Sequence, residues 1–355
     1  MARRALVLGG GGAKGAYQVG MLEVLVDKMG LDFQILRGTS VGALNAAFLA
    51  QSPTGQKSLQ NLQAAVVGLT KLWLEEVKGN HSIYDERAFG LVGLAAGKDS
   101  LLDNDPLNDL IRKHLDPAKM RTSGRDFAVG TVSLVSGNFQ EHKPTAPNYL
   151  DLILASTAMP VVFPPVWREE KGEEKDVLVD GGVRETTPLS SAFRAKPGPD
   201  EIYVLLTSRA LKRPDGSFPV NAAMATRYGD WDDNFLGTSV SGLDVLKRTV
   251  ELLTDEVYLD DIRGALQWNR ILEDAQKLVA AAKAASGPAA LGTAAAALET
   301  SLTASRKRPV TIKVLAPREW YGEHNSSTAF APELIKKAIA HGREVAADPK
   351  LWLWP

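Results

Sequence analysis

Short apolar runs separated by stretches of helical spacing set the pattern of this chain. Residues 5–8, 33–36, 127–135, 177–179, 202–206 and 310–315 are the runs, and each reads as a strand. Between the first two, Leu22, Leu25, Val26 and Met29 fall at i, i+3, i+4 and i+7, the spacing of one buried helix face. Leu59, Leu62, Val66, Leu69 and Trp73 repeat that logic in a later helix, and Ala43 to Ala50 reads as a helix directly after the second strand. Strands alternating with helices predict an α/β fold, a mostly parallel sheet with helices on both faces.

Residues 210–304 follow a different rhythm. Arg213-Pro214-Asp215-Gly216 is a turn, and Gly242 to Arg263 reads as one or two helices carrying Leu246, Val250 and Leu253. Ala280 to Ala297 is rich in alanine, the best helix former, and is broken by Gly287-Pro288. A helical hairpin packed on the domain is the simpler expectation; a mobile lid over a reactive site is the functional alternative. The expected organisation is one domain over residues 1–355, with a core at about 4–210, a C-terminal strand and helix at about 308–347, and a helical region or cap at 211–307.

Two glycine-rich turns occupy strand-to-helix junctions near the N-terminus. GGGGAKG, from Gly9 to Gly15, follows the run Ala5 to Leu8, and GTSVG, from Gly38 to Gly42, follows Phe33 to Leu36. The second fits the nucleophile elbow, in which a sharp turn lifts a serine hydroxyl, here Ser40, to the edge of a sheet. Gly38 and Gly42 are needed there because side chains would clash across the turn. The first turn also matches the dinucleotide pattern through Gly10, Gly12 and Gly15. That reading wants an acid at the end of the second strand, yet Asp32 precedes the strand and its far end carries Gly38-Thr39-Ser40. A P-loop fails because Lys14 precedes Gly15. An oxyanion hole with Lys14 as a supporting charge fits better.

Ser40 needs a base. His324 and His341 are the histidines late enough for the usual order of serine, acid and histidine, but one lies in a polar stretch and the other near the end of a predicted helix. Asp180 ends the run Val177-Leu178-Val179, and Gly181-Gly182 would expose its carboxylate at the strand's C-terminal edge. An ordinary Asp-Gly turn is the plain alternative.

With Ala155-Ser156-Thr157-Ala158-Met159-Pro160-Val161-Val162-Phe163-Pro164-Pro165-Val166, these blocks stand in the order of the patatin-like phospholipase family, which the chain resembles over about residues 4–190 and again near Pro332 to Ala346. The resemblance implies a patatin-like three-layer sandwich and a Ser-Asp dyad of nucleophile Ser40 and general base Asp180, with no histidine, metal or cofactor required. It also implies an oxyanion hole built from the N–H groups of Gly10, Gly11 and Gly12, with Lys14, Gly38, Gly42, Gly181 and Gly182 in support. Where this chain has Lys14 the family often has Arg, so the charge is kept and the bidentate fork lost. A free carboxylate titrates near about 3.9, so Asp180 needs a poorly solvated site to act as a base.

The implied activity is a serine esterase acting on acyl lipids, of phospholipase A or lysophospholipase type. An acyltransferase with the same dyad, a nucleotide-binding protein using the glycine loop and a catalytically idle lipid-binding module are the alternatives. Composition narrows the setting further. Lys and Arg number 41 against 42 Asp and Glu, a net charge of −1, which gives no global attraction to nucleic acid. There is no cysteine, so thiolate chemistry and disulfides are excluded. Met1 to Arg4 leads straight into the first strand without a signal-peptide core, and no run approaches the roughly 18 apolar residues of a membrane span. A cytoplasmic protein is expected, with peripheral membrane contact through Leu351-Trp352-Leu353-Trp354 as one alternative and packing of that tail on the domain as the other.

Overall fold

The computed structural model describes residues 2–87, 93–94, 96–169, 175–212, 219–221, 242–284, 289–304, 309–319 and 327–353. Its main sheet contains β1 (Arg4–Leu8), β2 (Ile35–Gly38), β3 (Asp126–Ser133), β4 (Phe139–His142), β5 (Val166–Arg168), β6 (Asp176–Asp180), β7 (Glu201–Leu205) and β8 (Thr311–Leu315). The order across the sheet is β8-β7-β1-β2-β3-β6-β5, with β4 paired to β3 off that path. From β8 to β3 every pairing is parallel, whereas β6, β5 and β4 join antiparallel to their neighbours. All six expected strands are present. The two that periodicity did not announce, β4 and β5, are short and mixed in polarity, so no apolar run marks them.

The helices used below are α1 (Gly15–Leu22), α2 (Val41–Ala50), α3 (Ser58–Lys71), α4 (Asp105–His114), α5 (Tyr149–Ala155), α6 (Leu189–Arg194), α7 (Gly242–Ala284), α8 (Ala289–Ala304) and α9 (Pro332–Ala347). Alternation along each strand splits the apolar side chains between two cores. Leu6, Leu8, Leu36 and Leu205 pack beneath α1, α2, α3 and α9 with Met21, Leu49, Leu62 and Ile339. Ala5, Val7, Ile35 and Val204 pack on the opposite face with Leu189 and Ala192 of α6 and Ile262 and Leu266 of α7. Helices therefore cover both faces of the sheet, in three layers.

Some boundaries differ from those the periodicity predicts. Leu22, Leu25 and Val26 are buried but Met29 is 42% exposed. After Leu22 the helix widens into a π-helical turn over Glu23–Lys28, and the extra residue per turn carries the i+7 position off the buried face. The one or two helices expected to end near Arg263 are a single helix of 43 residues, α7. Its Asn269 Oδ1 accepts the Val310 N–H at 3.1 Å, and so ties α7 to the start of β8. The Arg213–Gly216 turn and the Gly287-Pro288 break lie outside the described residues. In the C-terminal tail, Trp352 and Leu353 are buried, and Trp352 stands edge-on to Tyr203 with ring centroids 6.3 Å apart. These two residues pack on the core instead of offering themselves to a bilayer; Trp354 lies outside the described residues.

α9 is locked against α1 by two glycines. A Cβ on Gly20 would overlap the Ile339 carbonyl oxygen, and one on Gly342 would overlap the Tyr17 carbonyl oxygen, so the two backbones touch where a side chain would hold them apart. Gly20→Ala and Gly342→Ala should each destabilise the fold by about 1–3 kcal/mol through overpacking. Gly264→Ala, in α7 with nothing within 4 Å of its added carbon, should instead gain up to about 1 kcal/mol from helix propensity. Urea titration followed by circular dichroism reads both signs.

Candidate functional site

The elbow forms because β2 stops at Gly38 and α2 starts at Val41, leaving two residues to reverse the chain. Ser40 takes up the strain with φ 56° and ψ −131°, a conformation rare outside glycine. A Cβ on Gly38 would overlap the Gly42 carbonyl oxygen, and one on Gly42 would overlap the Leu8 carbonyl oxygen. Thr39 Oγ1 steadies the turn by donating to the Glu185 carbonyl at 3.1 Å.

Sheet register brings Asp180 to the same edge. Gly38 pairs with Val129 in parallel, and two residues further along β3 Thr131 pairs with Asp180. Because β6 runs antiparallel, its C-terminal end returns to the level of Ser40. The carboxylate is not exposed there, as the Asp-Gly turn suggested, but fully buried. The turn that follows closes over it, with Gly181 so near β3 that an added Cβ would sit 2.6 Å from the Gly130 carbonyl oxygen. Oδ1 accepts the Gly182 N–H at 2.7 Å. Burial pushes the Asp180 pKa from 3.8 up to about 7, against the lowering by the Ser40 side chain and the Gly182 N–H. Oδ2 has no partner at full hydrogen-bond geometry, so the Ser40 contact is looser than a formed bond, as in many unliganded sites.

The glycine loop differs from expectation in one donor. The Gly9 N–H goes to the Leu205 carbonyl at 3.1 Å and the Gly10 N–H to the Thr186 carbonyl at 3.2 Å. Gly10 is thus committed to holding the loop against the sheet edge, and of the three expected donors Gly11 and Gly12 remain. These two have φ of 144° and 57°. Ala13 N–H donates to the Ser327 carbonyl at 2.8 Å, fastening the loop to a C-terminal segment. Lys14 is buried beside it. Val41, the first residue of α2, has a backbone N–H with no acceptor among the described residues, as helix N-termini leave it. Sequence reasoning passed over it, although the elbow motif assigns an oxyanion donor to the residue after the serine.

Ser40 and Gly12 open onto an apolar cavity of about 110 Å³, walled by Leu44, Phe48, Trp73, Leu107, Ile111 and Phe163. Ser327, Thr328 and Phe330 complete its rim. The Tyr84 hydroxyl donates to the Thr328 carbonyl at 2.9 Å, and Asn80 Oδ1 accepts the Phe330 N–H at 2.9 Å. No motif in the sequence announced this rim.

His341 is buried, not near the surface. Its Nε2 accepts the backbone N–H groups of Arg318 and Glu319 at 3.0 and 3.2 Å, so it organises the chain after β8. His324 lies outside the described residues. Among the described residues no His, Asp and Glu side chains cluster as a metal site, and no helix is long and apolar enough to cross a membrane.

The chain aligns with the uncharacterized protein YjjU of Escherichia coli (strain K12) at 26% identity over 212 residues, 58% of this chain and 52% of YjjU. It spans about half the length of that relative. The crystal structure of VipD from Legionella pneumophila superposes with a TM-score of 0.39 at 14% identity, covering 99% of this chain and 66% of VipD. The family described as Patatin-like phospholipase matches residues 6–193, more than half of the chain and the whole span from β1 through the elbow and Asp180 to α6. The protein is therefore a member of the patatin-like phospholipase family.

Proposed function

We propose that the protein is a serine esterase of acyl lipids, of phospholipase A or lysophospholipase type, in which Ser40 is the nucleophile and Asp180 the general base. The observation that carries this reading is a fully buried carboxyl with a pKa raised to about 7, level with a strained serine at the mouth of an apolar cavity. A base poised near neutrality removes a proton most effectively at neutral pH. The cavity walls suit a hydrocarbon chain and offer little to a nucleotide phosphate.

The reaction follows from these positions. Asp180 takes the Ser40 hydroxyl proton as Oγ attacks the ester carbonyl carbon. The negative charge that forms on the carbonyl oxygen is received by the Gly11 and Gly12 N–H groups, with the Val41 N–H at the start of α2 adding to the same field. Collapse of the tetrahedral intermediate breaks the ester C–O bond, the alcohol leaves with the proton from Asp180, and the acyl group stays on Ser40. Water then gives its proton to Asp180 and attacks the acyl carbon. The second collapse releases the fatty acid and returns the proton to Ser40. Peripheral contact with a lipid surface belongs to the same proposal.

Ser40→Ala should lower hydrolysis of a soluble short-chain ester by about 10⁴-fold or more without unfolding. His341→Ala should act on stability; activity lost from a folded His341→Ala protein, with Ser40→Ala still active, would remove the dyad. Gly11→Ala adds a methyl that overlaps Thr207 Oγ1 and disturbs the loop, so kcat should fall by about 10² to 10³ with little change in KM.

Asp180 also sets two pH dependences. The base works only when deprotonated, so kcat/KM should fall about tenfold per pH unit below about 7. Stability runs the other way. The folded pKa lies above the unfolded one, so this group's stability contribution is full below 3.8 and is lost as pH rises through about 7. The shift corresponds to a cost of about 4 kcal/mol once the carboxyl is ionised. Asp180→Asn should therefore abolish turnover yet raise Tm, and the gain should be larger at pH 8 than at pH 5 in paired thermal melts.

A further inference from the structure

The block from Ala155 to Val166 carries part of the family resemblance, yet the mechanism above gives it no task. Its first residues form a turn directly after α5. Ser156 is fully buried there, and its Oγ accepts the backbone N–H of Ser40 at 3.1 Å. Two residues on, the Ala158 carbonyl accepts the backbone N–H of Asp180 at 2.9 Å. One short turn therefore holds both members of the proposed dyad by their main chains.

The turn has the stiffness for that role. Ser156 N–H donates to the Leu152 carbonyl at 3.0 Å, Thr157 N–H to Leu154 at 2.9 Å and Ala158 N–H to Ala155 at 3.0 Å. Thr157 Oγ1 adds a bond to the Leu154 carbonyl at 2.7 Å. The elbow, in contrast, is strained, and strained backbone persists only where its surroundings over-determine it. At φ 56° the Ser40 N–H has left the path of β2 and precedes the first turn of α2, so neither element supplies its acceptor. Ser156 Oγ does.

We propose that Ser156 is a positioning residue for the Ser40–Asp180 pair, its Oγ holding the Ser40 backbone in the elbow conformation that aims the hydroxyl at the carboxyl, while Ala158 fixes Asp180 from the same turn. This rests on the acyl-hydrolase reading above. With Ser156 truncated, the Ser40 N–H loses its acceptor, the elbow relaxes, and Oγ swings away from Asp180. The cavity walls stay in place, so substrate binding is spared.

The experiment compares the parent with Ser156→Ala, Ser156→Thr, Asp180→Asn and the double variant Ser156→Ala with Asp180→Asn. It uses steady-state kinetics on a soluble p-nitrophenyl ester, the rate of Ser40 labelling by a fluorophosphonate, and thermal melts. Ser156→Ala should lower kcat by about 10- to 100-fold with KM within about twofold, and Ser156→Thr, which keeps the oxygen, should recover most of the loss. In the Asp180→Asn background Ser156→Ala should slow labelling no further, because aiming at an absent base has no value. A parental kcat in Ser156→Ala overturns the inference, and so does a labelling loss that multiplies with Asp180→Asn. If Ser156→Ala does not fold, Ser156→Cys takes its place; its weaker acceptor should lower kcat with KM unchanged, and a parental kcat overturns the inference. Ser40→Ala, run alongside, separates the two levels: activity surviving there removes the dyad itself, whatever Ser156 does.

Discussion

Two strand-to-helix turns are pressed together backbone to backbone, and the rest of the site depends on that contact. A Cβ on Gly42 would strike the carbonyls of Leu8 and Gly9, one on Gly15 would strike Val41, and one on Gly10 would lie 3.1 Å from the Ser40 Cβ. Glycine at these positions lets the elbow and the glycine loop occupy neighbouring slots at the end of β1 and β2, strands that are themselves adjacent and in register. That close approach brings the glycine loop, with the oxyanion donors proposed on it, against the elbow that carries Ser40. In the proposed mechanism the parallel centre of the sheet supplies nucleophile and donors, while the antiparallel strand β6 returns from the far side to supply the carboxyl.

The cost of this arrangement is concentrated in one group. Two buried guanidinium groups elsewhere are compensated. Arg125 is held by Asp32 and by carbonyls of Phe33, Ser52 and Ser58, and Arg37 by Asp126 and Ser191. Accordingly the Asp32 and Asp126 carboxyls sit below their ordinary range despite burial, Asp32 through the Ser58 hydroxyl and then the Arg125 guanidinium, Asp126 through the Arg37 guanidinium. Among the described residues no cation acts on Asp180, and its carboxyl sits well above that range. Interior packing elsewhere must supply the stability this one residue withholds.

The sequence made the sheet and much of the site legible because both were written in local signals. Apolar runs marked six of the eight strands of the sheet, and the glycines of both turns stood beside a serine at a recognisable spacing. What stayed hidden was set by pairing between distant segments. Nothing near Asp180 tells that β6 is antiparallel, and that direction, with the turn closing over the carboxyl, turns an exposed edge into a buried one. Likewise the Gly10 donor is consumed by the Thr186 carbonyl, a partner far along the chain. His341 looked like a helix-end cation because its acceptor role toward Arg318 and Glu319 depends on where the chain after β8 returns.

The cavity rim at Ser327, Thr328 and Phe330 lies outside the span that matches the family, which ends at residue 193. Parts that would make and break the bond and parts that border the bound chain are therefore encoded in separate stretches, joined in space by the Ala13–Ser327 and Tyr84–Thr328 hydrogen bonds. Substitutions in the distal stretch can change the shape presented to a substrate while leaving elbow, glycine loop and buried carboxyl untouched. Chemistry and selectivity can then drift at different evolutionary rates in one polypeptide.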